Sequence, residues 1–337
     1  MTNALVTGAT GFLGQHVCAA LSRNGWNVTG MGRSEEVGAK LQGRGVRFIR
    51  ADLRDEASVM AACADQEAVF HCGALSSPWG PYREFLAVNV HGTKHVVAGC
   101  RKHEVRRLIH ISTPSIYTDR RIRLSIREQD PLPAKPVNAY AATKLLAERV
   151  AFEAFADGVP GLILRPRAIF GPLDRSLFPR LMQANDTRGV PLIDGGSAML
   201  DLTYVDNVVD AMRLAWEAPK EALGQAYNIT NGEPVMLRDV LKQLFAMLDI
   251  PLRTRTIPYP LAYGAAAVLE WTHRIMPMLG EPALTRFAVG ALAKSQTLDI
   301  TLARERLGYV PRVALSGGLR AFAEWWIRKG GDGNNEG

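Results

Sequence analysis

The sequence predicts an α/β fold of the Rossmann type, in which a doubly wound parallel sheet is followed by a smaller, mostly helical C-terminal substrate lobe. Two observations predict it. Short apolar runs alternate with segments of helical spacing through the first half of the chain, and a glycine-rich turn joins the first run to the first helical segment. The 337 residues suit one large α/β unit together with a smaller lobe.

The predicted strands of the first half are short, apolar and bounded by glycine or polar residues. In chain order they are NALVTG, NVTGMG, VRFIRAD, EAVFHCGA, RRLIHIS and PGLILRPRAI. The segments between them have helical spacing, as in GFLGQHVCAALSRNG and YREFLAVNVHGTKHVVAGCRKH. This alternation predicts a dinucleotide-binding domain over residues 1–172.

The second half follows a looser pattern. FPRLMQAN, VDNVVDAMRLAWEA and LRDVLKQLFAMLDI have helical spacing, whereas QAYNIT is typical of a strand. We expect a substrate lobe over 173–328, interleaved with the first domain because later strands from within 200–230 return to the sheet. The tail 329–337, KGGDGNNEG, has no apolar anchor and is predicted to be disordered.

The charge balance limits the classes of partner. The net charge is +7 and the isoelectric point is about 9.4, as in some proteins that bind nucleic acid or membrane surfaces. The basic residues are dispersed, however, and the sequence holds neither an RNA-reading aromatic motif nor a long basic run. We therefore expect no nucleic-acid partner, and an anionic cofactor or substrate would use part of the charge.

The cysteines and the apolar segments bear on the cell compartment. The four cysteines lie in apolar contexts without a CxxC pair or a histidine at ligand spacing, so we expect buried thiols, no metal site and a cytoplasmic location. The N-terminus enters a strand directly, without the pattern of a signal peptide. The longest apolar candidate, PLAYGAAAVLEW, is interrupted by Glu270, so we expect no membrane span.

The first motif is TGATGFLG, which places Gly8, Gly11 and Gly14 between a strand and a helix. Glycine lets backbone N–H groups approach a pyrophosphate, and the start of a helix adds a positive end. The motif predicts a dinucleotide site, with Phe12 and Leu13 in the same loop.

The end of the second strand bears on the choice of dinucleotide. A site selective for NAD usually carries an acidic residue there, bonded to the ribose 2′-hydroxyl. This chain has Gly32 followed by Arg33, so a 2′-phosphate fits and Arg33 can pair with it. We favour NADP(H), with NAD(H) as the alternative; on a simpler interpretation Arg33 is a solvent-exposed loop residue.

Two further strand ends are candidates to contact the dinucleotide. Asp52 and Leu53 follow the third strand, where a carboxylate can accept from the adenine amino group. Cys72, Gly73 and Ala74 end the fourth strand, where small residues let the cofactor lie against the sheet.

The candidate catalytic groups follow the fifth strand and open the next helix. YAATK places Tyr140 and Lys144 on one helical face, and a neighbouring ammonium together with a cationic nicotinamide would lower the pKa of the phenol. Such a pair can pass a proton to or from an alcohol or carbonyl oxygen. HISTPSIY supplies Ser112, Thr113 and Ser115, whose hydroxyls can hold a substrate oxygen or simply cap a turn.

These motifs together resemble the extended short-chain dehydrogenase/reductases along almost the whole chain. The matching segments are TGATGFLG, ADL, VFHCGA, NVHGT, HISTPSIY, YAATK, LRPRAIFGP, LTYVDNVVDA and YNITNGEPV. The resemblance implies a Ser/Thr–Tyr–Lys site with Tyr140 as acid/base and Lys144 as its helper, which also binds the nicotinamide ribose. The hydroxyl position matches Thr113, with Ser112 as a close competitor; the family commonly has serine there.

The resemblance also implies supporting residues and an assembly. Asn89 in NVHGT matches a position that supports the site from a neighbouring helix. Pro166, Ala168 and Ile169 match the segment that packs against the nicotinamide. A homodimer through the helices at 81–102 and 139–157 is implied as well.

Two segments resemble one branch of the family. GALSSPWGPYREFLAVNVHGT and LAKSQTLDITLARERLGYVPRVALSGGL are similar to 3β-hydroxysteroid dehydrogenases and, within that branch, to bacterial 2-alkyl-3-oxoalkanoate reductases. The implied function is an NAD(P)-dependent oxidoreductase that interconverts a secondary alcohol and a ketone on a 3β-hydroxysteroid or a long-chain β-keto or β-hydroxy acid. The alternatives are a nucleotide-sugar epimerase or dehydratase of the same fold and, in a different class, a non-catalytic dinucleotide-binding regulator.

The remaining expectations concern the substrate. Pocket walls are expected among Trp79, Tyr82, Ser115, Phe170 and Phe178, although each aromatic residue is equally at home in the core. The apolar segment 258–280 is expected to line or cover a lipid-sized pocket, and contact with a membrane surface is a further alternative.

Overall fold

The computed structural model describes residues 1–332. Its strands, in chain order, are β1 (Asn3–Thr7), β2 (Asn27–Gly32), β3 (Arg47–Arg50), β4 (Ala68–His71), β5 (Arg107–Ile111), β6 (Arg123–Ile126), β7 (Gly161–Pro166), β8 (Ile169–Phe170), β9 (Val190–Ile193), β10 (Met199–Leu200), β11 (Thr203–Tyr204), β12 (Ala226–Ile229), β13 (Val235–Met236), β14 (Thr254–Ile257) and β15 (Gln296–Leu298).

The helices connect and cover these strands. They are α1 (Phe12–Arg23), α2 (Glu35–Gln42), α3 (Glu56–Ala62), α4 (Tyr82–Phe85), α5 (Gly92–Lys102), α6 (Ala139–Ala156), α7 (Phe178–Thr187), α8 (Val205–Glu217), α9 (Leu237–Met247), α10 (Tyr259–Ile275), α11 (Arg286–Ala293), α12 (Thr301–Leu307) and α13 (Leu315–Asp332).

Seven strands form the main sheet, in the order β12-β7-β5-β4-β1-β2-β3. Every neighbouring pair is parallel, so each connection crosses over through helical segments. The chain first builds outward from β1 to β3 and then reverses to β4, which creates the switch point where doubly wound sheets bind ligands. The predicted Rossmann-type fold is confirmed.

The sheet is covered on both faces because side chains alternate along each strand. Ala4 and Val6 of β1 belong to one buried cluster with residues of α1 and α8. Leu5, between them, belongs to a second cluster with residues of α3 and α5. Two apolar faces on each central strand explain why the predicted strands are continuous apolar runs.

The C-terminal half is interleaved with the sheet. Strand β12 pairs with β7, with Tyr227 opposite Leu164, and completes the main sheet from a segment far along the chain. The other late strands form small sheets, in the orders β13-β10-β15-β6, β11-β8 and β14-β9. Of the later helices, α10 supplies Tyr259 and Tyr263 and α11 supplies Phe287 to the walls of the cavities described below.

Several details differ from the sequence-based expectation. The long helix expected across YREFLAVNVHGTKHVVAGCRKH is broken into α4, a π-helical turn over Leu86–His91, and α5. Strand β6 was not predicted, since it joins residues of distant segments. Helix α13 extends past the start of the expected disordered tail, whose residues 333–337 lie outside the described residues.

Within residues 1–332 no helix combines the length and the apolar character that crossing a membrane requires. The same part of the chain holds no group of three His, Cys, Asp or Glu side chains placed to bind a metal ion. All four cysteines are free thiols, three of them buried and Cys72 partly buried.

Candidate active site

A cavity of about 710 Å³ lies at the carboxyl ends of the parallel strands. Most of the residues that the sequence predicts for cofactor and catalysis line it. They are Gly8, Gly11, Phe12, Leu13, Gly14, Arg33, Asp52, Leu53, Cys72, Gly73, Ala74, Ser112, Thr113, Tyr140, Lys144, Pro166, Ala168 and Ile169. The topology therefore brings together motifs that are dispersed over most of the first half of the chain.

The glycine loop is packed so closely that side chains are excluded. Gly8 has a φ of 67°, and a Cβ atom there would lie 2.6 Å from the Cα of Gly73. A Cβ at Gly14 would collide with the carbonyl oxygen of Gly8. Gly11 precedes α1 and offers no side-chain cap to its first turn, so those N–H groups remain for an anion. The loop fits the pyrophosphate of a dinucleotide.

The rim beyond β2 and β3 is basic. The Arg33 side chain is 70% exposed, and its Nη1 lies 3.9 Å from the Asp52 carboxylate. That carboxylate accepts from Arg54, at 3.0 Å from Nε and 2.8 Å from Nη2. These bonds hold the pKa of Asp52 below its ordinary value. Both Asp52 oxygens are thus engaged by Arg54, a neighbour that the sequence analysis did not single out.

The candidate catalytic helix starts at a well-formed cap. The Asn138 side chain accepts from the backbone N–H of Ala141 at 2.8 Å and fixes the first turn of α6. Tyr140 in this turn is partly buried, and burial raises the pKa of its phenol, while a hydrogen bond with the Thr113 hydroxyl lowers it. Lys144 follows one turn later and is buried.

The ammonium of Lys144 is held by the carboxyl end of strand β5. It donates to the carbonyl oxygen of Ile111 at 2.7 Å and lies 3.5 Å from Nε2 of His110. Burial lowers the pKa of Lys144 to about 8. The pKa of Tyr140 is raised on balance, since burial outweighs the hydrogen bond with Thr113. The expected lowering of this pKa by the ammonium together with a cationic nicotinamide stays a prediction.

Two buried histidines that the sequence analysis missed stand behind Lys144. His71 on β4 and His110 on β5 are register partners, with ring centroids 5.1 Å apart. His71 hydrogen-bonds with the Thr7 hydroxyl at 2.7 Å and with the Thr93 hydroxyl at 3.0 Å. Burial lowers the pKa of His71 to about 3 and the pKa of His110 well below its ordinary value. In the sequence, the sign of these two residues is a histidine within an otherwise apolar strand, His71 in β4 and His110 in β5.

The hydroxyl groups of Ser112, Thr113 and Ser115 differ in their hydrogen bonds. The Thr113 hydroxyl donates to the Ser115 hydroxyl at 3.0 Å and accepts from the Ser115 N–H at 3.1 Å, so Ser115 orients it. The buried Ser112 hydroxyl has no hydrogen-bond partner within residues 1–332. Ser112 and Thr113 both line the cavity, and the Thr113 hydroxyl opposes the rise in the pKa of Tyr140 that burial causes.

Asn89 connects the catalytic helix to the loop after β4. It lies in the π-helical turn, and its side-chain oxygen accepts from the N–H of Leu75 at 2.7 Å. Its Nδ2 donates to the Leu75 carbonyl and to the Thr143 hydroxyl, each at 3.1 Å. π-helical turns recur at functional sites, and this one aims a buried amide at the neighbour of Lys144.

The connection between β7 and β8 has a strained backbone at Ala168. Ala168, between β7 and β8, has a φ of 42°, in the left-handed region that non-glycine residues rarely adopt. It lines the same cavity as Pro166 and Ile169. The surrounding pairing of β8 with β11 holds this bend in place.

A second cavity, of about 520 Å³, adjoins the first, and Phe287 lines both. Its wall includes two carboxylates, Asp119 and Glu270, and a larger set of aromatic and basic residues: Trp79, Tyr259, Tyr263, Arg120, Lys135, Arg274 and Arg286. Asn138 and Ala139, directly before Tyr140, line it too. The cavity therefore reaches the start of the catalytic helix.

The cations of the second cavity fall into two groups. Arg286 is neutralised by Glu270, which accepts from its backbone N–H at 2.7 Å and from its Nε at 2.6 Å. The Arg120 guanidinium lies 5.3 Å from the centre of the Tyr263 ring. Among the described residues, no carboxylate is within ion-pair distance of Arg120, Lys135 or Arg274. This cavity is suited to an anionic group.

The predicted substrate residues are only partly brought together. Trp79 lines the second cavity, and Ser115 acts on Thr113. Tyr82 is half exposed and lines neither cavity. Phe170 and Phe178 are not pocket walls: their rings pack 5.3 Å apart in the buried core. The alternative of a core role holds for these two, because Phe170 also packs against Tyr204 and Phe178 packs against Phe322.

The expectation for segment 258–280 is corrected in part. One side of α10 lines the second cavity through Tyr259, Tyr263 and Arg274, but that wall is aromatic and charged. The large apolar side chains of the segment face outward instead, as Trp271 and Met278 do.

Comparisons with known proteins show the family to which the chain belongs. Residues 4–230 match the family described as the NAD dependent epimerase/dehydratase family. The chain is 39% identical to the 2-alkyl-3-oxoalkanoate reductase of Stenotrophomonas maltophilia, over 94% of this chain and 97% of that protein. It is 31% identical to the sterol-4-alpha-carboxylate 3-dehydrogenase, decarboxylating, of Mus musculus, over 92% of this chain and 87% of that protein.

A solved structure supports the fold. The UDP-glucuronic acid 4-epimerase from Bacillus cereus, in complex with NAD, superposes with a TM-score of 0.77 and covers 97% of this chain and 99% of that one. The identity is 24%, so this likeness concerns the fold alone.

Proposed function

Because this chain belongs to the NAD dependent epimerase/dehydratase family, the extended short-chain dehydrogenase/reductases, and is an NAD(P)-dependent enzyme acting on CH–OH groups, we propose that it interconverts the 3-oxo and 3-hydroxy forms of a long-chain apolar acid. The observation that carries the proposal is the pair of adjoining cavities, one with Thr113, Tyr140 and Lys144, the other with cations that have no carboxylate partner within residues 1–332.

The chemistry requires a proton and a hydride to move at one carbon. When bound, the nicotinamide supplies the hydride to the carbonyl carbon or takes it from the carbinol carbon. Tyr140 donates its phenolic proton to the substrate oxygen in reduction and accepts it in oxidation. The Thr113 hydroxyl, which donates to Ser115 in this structure, would turn its proton to the substrate oxygen and hold that oxygen beside the phenol. Lys144, fixed by the Ile111 carbonyl, keeps a positive charge beneath the site and binds the nicotinamide ribose.

The second cavity supports an acid as substrate. The two relatives above are named for substrates that carry a carboxylate close to carbon 3, a 2-alkyl-3-oxoalkanoate in one case and a sterol 4-alpha-carboxylate in the other. Arg120, Lys135 and Arg274 offer positive charge without a carboxylate partner among the described residues, and the cavity is also lined by Asn138 and Ala139, directly before Tyr140. A carboxylate placed there would lie next to the reacting carbon, with the apolar chain against Trp79 and Phe287.

For the cofactor we propose a preference for NADP(H). Arg33 is exposed at the rim of the cofactor cavity, and its one carboxylate neighbour, Asp52, is 3.9 Å away. Gly32 stands at the end of β2, so no acidic side chain is present there to bind the two hydroxyls of an NAD ribose. The Ser34 side chain caps α2 by accepting from the N–H of Val37. A 2′-phosphate would thus meet a guanidinium beside a helix start.

A nucleotide-sugar epimerase is the second candidate, favoured by one observation. The basic and aromatic wall of the second cavity also suits a diphosphate and a stacked base. The segment after Thr113 places no carboxylate beside the hydroxyl position, which argues against a dehydratase. A regulator without catalysis leaves the Tyr140–Lys144 arrangement unexplained.

The test is an activity screen of the purified protein with NADPH and NADH. The substrates are a long-chain 2-alkyl-3-oxo acid, the neutral ketone left after loss of its carboxylate, and UDP-glucose. We expect NADPH consumption with the oxo acid, weaker activity on the ketone and no change in the UDP-sugar, with Tyr140→Phe as the inactive control. Epimerised UDP-sugar without oxidation of NADPH by the oxo acid would transfer the function to the second candidate.

A further inference from the structure

Helix α10 and the turn after it carry an unusual apolar surface. We define the α10 outer face as the exposed side chains Leu261, Val268, Trp271, Ile275, Met276, Met278 and Leu279. Almost half of the large apolar side chains exposed within residues 1–332 belong to it. Trp271 is 65% exposed, Leu261 is 68% exposed and Met278 is 90% exposed. A contiguous patch of this kind marks an interaction surface.

The spacing places the four members that belong to α10 on one side of the helix, and Met276, Met278 and Leu279 follow in the turn after it. Leu261, Val268 and Ile275 recur at seven-residue intervals with Trp271 between the last two, which is one helical stripe. The opposite side is narrow and buried, through Ala262 and Ala266. These small residues pack α10 onto the lobe, so the fold uses the side of the helix with little apolar area and leaves the larger one outside.

The charges around the α10 outer face are positive. The only carboxylate within residues 258–280 is Glu270, which is buried and bonded to Arg286. Arg274 is exposed on the helix itself, next to Trp271 and Ile275 on the helical surface. Glu281, just beyond the face, is paired with Arg180 at 3.1 Å.

We propose that the α10 outer face binds the surface of an anionic phospholipid bilayer. The apolar stripe would insert among the upper acyl chains, with the Trp271 indole at the headgroup level, while Arg274 at the edge of the stripe meets a lipid phosphate and the net charge of +7 favours an anionic surface. A second copy of this chain is a poorer occupant, because a two-fold contact would bring each Arg274 towards its own copy without a carboxylate between them. The helices expected at a dimer contact, 81–102 and 139–157, are other elements.

The position of the face gives the binding a purpose that rests on the proposed function. Tyr263 and Arg274 of the same helix line the second cavity. A bilayer at the outer face would therefore lie one helix away from the cavity, and a long-chain acid would pass from lipid to enzyme without crossing bulk water.

The test is vesicle flotation of the full chain with phosphatidylglycerol and with phosphatidylcholine vesicles. We expect binding to phosphatidylglycerol and at least roughly tenfold weaker binding to phosphatidylcholine. The variant Trp271→Ser/Met278→Ser should lose roughly tenfold or more of the binding. The matched control Val310→Ser/Ile327→Ser removes exposed apolar side chains elsewhere, 64% and 54% exposed, and should bind as the wild type does.

The outcomes separate the possibilities. Circular dichroism and light scattering of each variant show whether fold and oligomeric state are kept. No binding of the wild type to phosphatidylglycerol, or equal loss in both variants, overturns the proposal. A wild-type dimer that Trp271→Ser/Met278→Ser converts to a monomer reassigns the face to self-association. Because flotation requires no catalysis, failure of the proposed function leaves this test intact, and a short water-soluble oxo acid tests activity without lipid.

Discussion

The two adjoining cavities are built on different supports. The cofactor cavity rests on the carboxyl ends of parallel strands, and its polar groups are mostly held by other protein groups, as Asn89, His71 and Lys144 are. The second cavity is formed by loops and by α10 and α11, and its cations Arg120, Lys135 and Arg274 have no carboxylate partner among the residues described. The strand ends hold the reacting groups in fixed positions. The loops and helices of the second cavity instead present cations that can bind an anionic ligand.

The largest loss of activity is expected from a substitution in the cofactor cavity. Tyr140→Phe removes the proton donor and keeps the ring, so we expect turnover to fall about 10²–10⁴-fold with the affinity for the dinucleotide unchanged. Steady-state kinetics and cofactor titration measure the two quantities. Near-normal turnover in this variant would show that Tyr140 is not the acid.

A pH profile sharpens the same comparison. Burial lowers the pKa of Lys144 to about 8, so its ammonium is present below this value and is lost as the pH rises through it. We expect the rate to decline above a pH of about 8, about tenfold per unit where the charged form is required. In Lys144→Met the alkaline limb should vanish and cofactor binding should weaken at every pH. An identical limb in the variant would assign it to another group.

Arg33→Ala tests the rim of the cofactor cavity. Loss of one charge-assisted contact to a 2′-phosphate should cost about 1.5–3 kcal/mol of NADPH binding, with NADH binding unchanged. Arg44→Ala, at a distant exposed position, is the matched control. A wild-type preference for NADH, or an unchanged ratio in Arg33→Ala, would contradict the proposed cofactor.

Arg120→Ala should give the smallest effect, because the side chain is exposed and shares its role with Arg274 and Lys135. We expect the KM for the oxo acid to rise several-fold, in keeping with about 1 kcal/mol for an exposed ion pair, while the KM for the neutral ketone and the affinity for NADPH stay unchanged. An equal rise for the acid and the ketone would mean that Arg120 shapes the cavity and does not bind a carboxylate.

The same contrast explains what the sequence could predict. The fold class, the family resemblance and the enzyme class are confirmed, since each rests on local motifs at strand ends that the parallel topology necessarily gathers at one edge. The roles of Thr113, Tyr140 and Lys144 and the preference for NADP(H) stay predictions.

The remainder depends on contacts between distant segments. The second cavity combines Trp79, Arg120 and Phe287, whose proximity no local pattern encodes. Phe170 and Phe178 are aromatic in either role, and only packing decides that they are core. The direction of the Lys144 side chain depends on Ile111 and His110 of a neighbouring strand.

Strand β12 has a consequence for the order of synthesis. It covers the outer edge of β7, a strand that is buried along its whole length. Until residue 229 has left the ribosome, the growing chain therefore exposes an unpaired apolar strand edge, the kind of edge that joins other chains. The boundary near residue 172 is thus no place to cut: a fragment 1–172 would hold the glycine loop and the catalytic pair yet lack the strand that protects its sheet.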